Sequence, residues 1–284
     1  MKGTSEGAVS IDGAKGVDSA MANASRATRL RRQLRPGPEM ILAVVSPLVL
    51  LGAWELLAYA EVIDTRFFSQ PTQIFATLGE MASSGELTEH VTASLRRVAL
   101  GLVIGVVPGT LLGAVMGLSR LVRAIFLPVI AATFPIPKIA ILPLLLLIFG
   151  IGERSSVALV AIGVFFIALY NTMGGVLNLP ASYRDVGSSF GARRGQYIRL
   201  IALPGALPHI FTGIKLSVGI GLLLIVAAEF VGTRTGIGYL VWSSWEVFAV
   251  ERMFVGLLLL GLLGYITNMA MDALERRLIP WREQ

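Results

Sequence analysis

The chain has 284 residues, 55% of them hydrophobic and 15% charged, with a mean hydropathy of +0.74. Its formal charge of +6 sits in arginines gathered at the ends of apolar segments, as orientation in a bilayer requires, so a nucleic-acid partner is excluded. Cysteine is absent, which rules out disulfides, thiolate metal sites and cysteine nucleophiles.

Several apolar runs reach the ~20 residues that cross a bilayer as a helix. They are continuous rather than alternating, which excludes a transmembrane barrel, and only a helix then satisfies its own backbone in lipid. The expected fold class is therefore all-α, a polytopic integral membrane protein with about six transmembrane helices. Two parts are expected: a disordered, basic cytoplasmic tail over 1–38, rich in Gly, Ala, Ser and Arg, and a membrane domain over 39–284.

The first apolar run, 40–60, ends in Ala58-Tyr59-Ala60, which imitates a signal-peptidase site. It is too long for a signal-peptide core and lies behind a long tail, so it is read as a span. The stretch 61–97 is polar and mildly acidic, with helical-looking pieces after Pro71 and over 85–95. The run 98–118 spaces Gly101, Gly105, Gly109, Gly113 and Gly117 four apart. Small residues at that interval let helices approach closely in lipid.

Between 124 and 150, Pro128, Pro135, Pro137 and Pro143 forbid a regular helix. Broken backbone at membrane depth is tolerated where it is buried in protein or lines a wet cavity. Lys138 lies inside this segment, so Pro135, Pro137 and Lys138 are candidates for a translocation path; a snorkelling or paired structural charge is the other reading of Lys138. The run 155–177 returns to a basic connection. The run 205–231 then carries two further candidates, Lys215 and Glu229. The stretch 232–252 is read as a turn-rich loop with Trp242 and Trp245 as interfacial anchors, and 254–271 as the last span.

The connection over 178–204 holds Arg184, Arg193, Arg194 and Arg199, which places it on the cytoplasmic side. Tyr183, Val186 and Phe190 fall at helical spacing, so one face of a short helix can bury against something. Asp185 is expected in its first turn, Gly191 at its end, and Leu203-Pro204 at the start of the next helix. Lys and Arg are concentrated in the tail, at Arg120 and Arg123, in this connection and at Arg276, Arg277 and Arg282. The opposite side holds Arg66, Arg96, Arg97, Arg154, Arg234 and Arg252. This bias puts both termini in the cytoplasm.

Here the residues carry a resemblance. Asp185-Val186-Gly187, then Gly191, then Ile201-x-Leu203-Pro204 resemble the motif of ABC-importer permeases: Glu-Ala-Ala, three residues, Gly, nine residues, Ile-x-Leu-Pro. Asp-Val-Gly stands in place of Glu-Ala-Ala. Ser94-Leu-Arg96-Arg97, Pro135-Ile-Pro137-Lys138, Phe149-Gly-Ile-Gly-Glu153, Ala227-Ala228-Glu229-Phe230 and Gly236-Ile-Gly238 are similar to permeases of the nitrate, sulfonate and taurine importer group, over roughly 68–282. The resemblance implies a permease domain that docks a cytoplasmic ABC ATPase, in two copies, through Asp185, Val186, Gly187, Phe190, Gly191, Leu203 and Pro204. It also implies an extracytoplasmic substrate-binding protein, a permease homodimer in a bacterial inner membrane, and a small anionic or sulfonate-like solute. ATP and Mg would sit on the ATPase, and this chain would hold no cofactor, no metal and no catalytic residue.

The chain has no Gly-x-x-x-x-Gly-Lys-Ser/Thr phosphate loop. His90 and His209 are not at metal-ligand spacing, and the serine-rich stretches are read as offering no nucleophile elbow. The energy source is therefore a second subunit or an ion gradient. The rival reading is an ion-coupled secondary transporter with Lys138, Lys215 and Glu229 as a charge relay, although no internal repeat of the kind common in that class is visible.

Overall fold

Eleven α-helices carry residues 38–280, the part of the chain that the computed structural model describes. The tail expected over 1–38 lies outside the described residues, apart from Pro38. The chain divides into a unit ending at Ile63 and a second unit from Asp64 onward. The described helix of the first unit is α1 (Pro38–Tyr59), over the expected first span.

The second unit begins with α2 (Pro71–Ser83) and the 33-residue α3 (Glu86–Leu118). Pro71 opens α2 where its missing N–H costs nothing. The glycine stripe on α3 faces α6 (Glu153–Leu177). A Cβ at Gly101 would lie 2.6 Å from Val160, and one at Gly109 2.5 Å from the Phe165 carbonyl oxygen. At Gly105 and Gly113 it would run into the carbonyl groups of Ala161 and Leu169. The two helices therefore meet backbone to backbone, as small residues at four-residue spacing allow.

Ser119 caps α4 (Arg120–Thr133) by accepting from the Val122 N–H. The chain then turns by 85° into a 3-10 turn (Lys138–Ile141) and α5 (Leu142–Phe149). This is the proline-broken segment expected from the sequence. After α6 come α7 (Ala181–Ser189), the one-turn α8 (Arg194–Tyr197), a π-helical turn (Ile198–Ala202) and α9 (Leu203–Gly232). Val98, Leu159, Val160, Val164, Leu224 and Ile225 form a core shared by α3, α6 and α9.

The stretch read as a turn-rich loop over 232–252 contains a helix, α10 (Ile237–Glu246), before α11 (Val250–Leu278). Gly236 and Gly238 had signalled a break; Gly236 instead stands at the N-cap with φ 119°. Among the described residues four helices are long and apolar enough to cross a membrane, or five if α4 and α5 with its 3-10 turn count as one bent span. A sixth would have to be α1, whose apolar stretch Val45–Tyr59 is shorter.

Candidate functional site

Glu229 near the end of α9 is wholly buried. Its carboxylate accepts from Arg97 Nη1 at 2.7 Å, from Ser94 Oγ at 2.8 and 2.9 Å, and from the Gly238 N–H at 2.9 Å. Arg97 reaches on to the Thr235 carbonyl (2.7 Å) and hydroxyl (2.9 Å). Ser94 Oγ accepts from the Ile237 N–H, and His90 Nδ1 accepts from the Gly236 N–H. Two α3 side chains, His90 and Ser94, and the α9 carboxylate thus satisfy free N–H groups at the start of α10, while Arg97 holds the preceding Thr235, and together they fasten α10 to the bundle. Gly236 is required there, since a Cβ would collide with the Glu229 carboxylate.

Lys138 does not pair with Glu229. Its ammonium donates to the carbonyls of Thr133, Phe134 and Ile136 at 2.9–3.0 Å, closing the 85° bend, and lies 4.4 Å from the Phe166 ring centroid. Pro135 and Pro137 stand in the same bend, both exposed within the chain. Lys215 pairs with Asp272 of α11. The residues named for a charge relay are therefore not brought together: each has its own partner on a different element.

A cavity of about 560 Å³ lies between α9 and α11, roofed by Ile139 of the broken segment. Its walls are mostly apolar, with Val218, Leu222 and Phe230 on one side and Leu260 on the other. Lys215, Thr267 and Asn268 bring polar groups to one end.

At the loop end of the bundle, α7 lies across the π turn. Gly187 is buried there, and a Cβ would lie 3.1 Å from the Tyr197 ring and 3.2 Å from Ile201. Gly191 has φ 64° and ends the helix, as expected. Asp185 is the fifth residue of α7, not part of its first turn, because the helix begins four residues earlier, at Ala181. Tyr183, Val186, Phe190 and Leu200 are 44, 52, 85 and 69% exposed. Tyr183, Val186 and Leu200, with Pro204 and Gly205, border a hollow of about 400 Å³. Leu203 and Pro204 occupy the first turn of α9. One sequence reading needs correction here: Gly187-Ser188-Ser189-Phe190-Gly191 does have the Gly-x-Ser-x-Gly spacing. It runs along a helix and out of its C-terminus instead of turning from strand to helix, so it lacks the context of a nucleophile elbow.

Sequence reasoning passed over Arg97, Ser94, His90 and Asp272. Arg97 had been counted as an orienting charge and named in the Ser94–Arg97 resemblance, without a partner. The available signal was that a buried acid in an apolar run needs a cation, and Arg97 sits at the matching end of α3.

Bilayer-length helices bordering a half-open apolar cavity, with buried charges held by specific partners, fit a membrane transport subunit. The model of the family "binding-protein-dependent transport system inner membrane component" matches residues 105–280, and the chain belongs to that family. A taurine transport system permease protein of Escherichia coli (strain K12) is 33% identical over 248 residues, 86% of this chain and 90% of that protein. A nitrate import permease protein of Leptolyngbya laminosa is 28% identical over 237 residues, 82% of this chain and 85% of that one. In fold, the chain is similar to a methionine ABC transporter solved in an inward-facing conformation. That match has a TM-score of 0.59 and 20% identity and covers 69% of this chain and 97% of the other.

Proposed function

We propose that the chain forms the translocation path of an ATP-driven importer for a small anionic or sulfonate-like solute. It works as a homodimer with two copies of a cytoplasmic ABC ATPase and takes its solute from an extracytoplasmic binding protein. It lies in a bacterial inner membrane with six spans and both termini cytoplasmic, as the arginine bias suggests. ATP and Mg belong to the ATPase. Its closure would push α7 and rotate α9, opening the path to alternate sides as packed helices shift between discrete arrangements.

The observation that carries this reading is the uncovered apolar face of α7 and the π turn. Tyr183, Val186 and Leu200 border a hollow, and the exposed Asp185 stands on the same short helix as Tyr183 and Val186, with the exposed Phe190 at its C-cap. Covering such side chains is worth about 1.5–3 kcal/mol each, which suits a protein partner at this face. The taurine and nitrate permeases among its relatives suggest the class of solute.

Gly191→Val tests the docking role. No atom lies within 4 Å of a Cβ there, but φ is +64°, so the lesion is one of backbone conformation. Membrane yield should stay normal while ATPase co-purification and solute-stimulated hydrolysis fall; Ser189→Ala on the same helix should be nearly silent. If Gly191→Val keeps wild-type association and coupling, α7 is only a lipid-surface helix and this reading fails.

A further inference from the structure

We infer that the Lys215 and Asp272 pair is a transit site selective for zwitterionic aminosulfonates of the taurine type over simple anions; the inference rests on the importer reading above. The two side chains come from α9 and α11 and form an ion pair while still 35 and 38% exposed. Lys215 lines the cavity between those helices, and Asp272 follows Met271, another lining residue. Glu229 is occupied by Arg97 and Ser94 and Lys138 by three carbonyls, contacts that hold the fold, and Glu86 and Arg252 pair at a different hollow. Among the ion pairs of the described residues, Lys215–Asp272 is the one with a member lining the cavity between α9 and α11.

The cavity runs along α9 from Lys215 to Phe230, about 22 Å at the rise of a helix. Around the pair its lining adds Thr267 and Asn268; farther along it is apolar. In such surroundings a charge without a partner is costly. A simple anion at Lys215 must share the ammonium with the Asp272 carboxylate and is repelled by it, or displace it and leave it unpaired. A zwitterion with two carbons between its charged groups can insert between them, sulfonate to Lys215 and ammonium to Asp272. It replaces one ion pair by two and brings in no net charge. The pair therefore discriminates by charge pattern rather than by size.

Single cysteines test this in the assembled transporter, since the native chain has none. Gly219→Cys lies one turn from Lys215 on the cavity wall, where a Cβ meets nothing within 4 Å. Asn268→Cys lies one turn from Asp272. Taurine should slow modification of both by a small thiol reagent, and ethanesulfonate at equal concentration should protect about tenfold less well, a difference of about 1.4 kcal/mol. Adding Asp272→Asn should reverse that preference, because the ammonium loses its partner and the lysine is freed for a plain anion. Adding Lys215→Met should abolish protection by both solutes. If Asp272→Asn fails to assemble, the two single-cysteine proteins still decide the matter. Equal protection by both solutes, or protection by neither, overturns the inference and leaves the pair as a brace between helices. Failure of the wild-type complex to move taurine while it moves ethanesulfonate would overturn the inference and leave the sulfonate-like reading standing; failure to move either would overturn both. Wild-type taurine transport without selective protection would overturn the inference alone.

Discussion

Arg97 and Glu229 are 132 residues apart in sequence, yet their charged atoms meet at 2.7 Å with side chains only 6 and 0% exposed. The contact ties the N-terminal half of α3 to the end of α9, and through Ser94, Thr235 and Gly238 it also fixes where α10 begins.

Removing one partner of such a pair leaves a buried charge without compensation. Arg97→Met should therefore lower stability by about 3–5 kcal/mol, seen as a reduced denaturation midpoint of the detergent-purified protein on size exclusion. The double variant Arg97→Met with Glu229→Gln should recover much of that loss. If the double variant is as unstable as Arg97→Met alone, the stranded Glu229 charge is not the cause.

Lys138 holds three carbonyls at the bend between α4 and α5. Lys138→Met should cost on the order of 1–3 kcal/mol and reduce the yield of assembled transporter more than the rate per assembled complex. Lys138→Arg, which keeps donors at the bend, should be milder. Normal yield of Lys138→Met with transport lost would instead place the ammonium in the solute path.

Not every glycine here should be equally sensitive. At Gly105 an added Cβ meets the Ala161 carbonyl, which a helix backbone cannot move aside; at Gly261 on α11 it meets nothing within 4 Å. Gly105→Ala should destabilise by about 1–3 kcal/mol, whereas Gly261→Ala should stay within about 0.5 kcal/mol. Heating the purified variants and following loss of the monodisperse peak compares them directly. Equal tolerance at both sites would mean that α3 and α6 are not in close contact in the membrane.

Orientation has its own test. Ser188 is exposed on α7, so Ser188→Cys should react with a membrane-impermeant thiol reagent in inverted vesicles and not in intact cells. Labelling from outside would reverse the proposed topology.

The long helices were legible because bilayer length and continuous apolarity leave the backbone one solution. The stripe from Gly101 to Gly117 was legible because its spacing names a helix face, and the break around Lys138 because prolines remove the donors a helix needs. Pairings were harder to read. Arg97, at the edge of an apolar run, looked like an orienting charge, and its partner lay 132 residues away. Asp272 fell just past the expected last span, although α11 continues to Leu278. Helix α10 was hidden by Gly236 and Gly238, whose reason is tertiary: both pass too close to Glu229 for a side chain. Lys138 and Glu229 looked like natural partners only because sequence cannot show that carbonyls and an arginine had already claimed them.

The contact of α3 with α6 has a further consequence. Where main chain touches main chain over four turns there is no slack for sliding, since close-packed surfaces switch between arrangements instead of deforming. The pair should serve as the chassis against which other parts move. Probes on α3 and α6 would then keep a constant separation through a transport cycle, and that fixed distance would be the internal ruler for motions of α9 and α11.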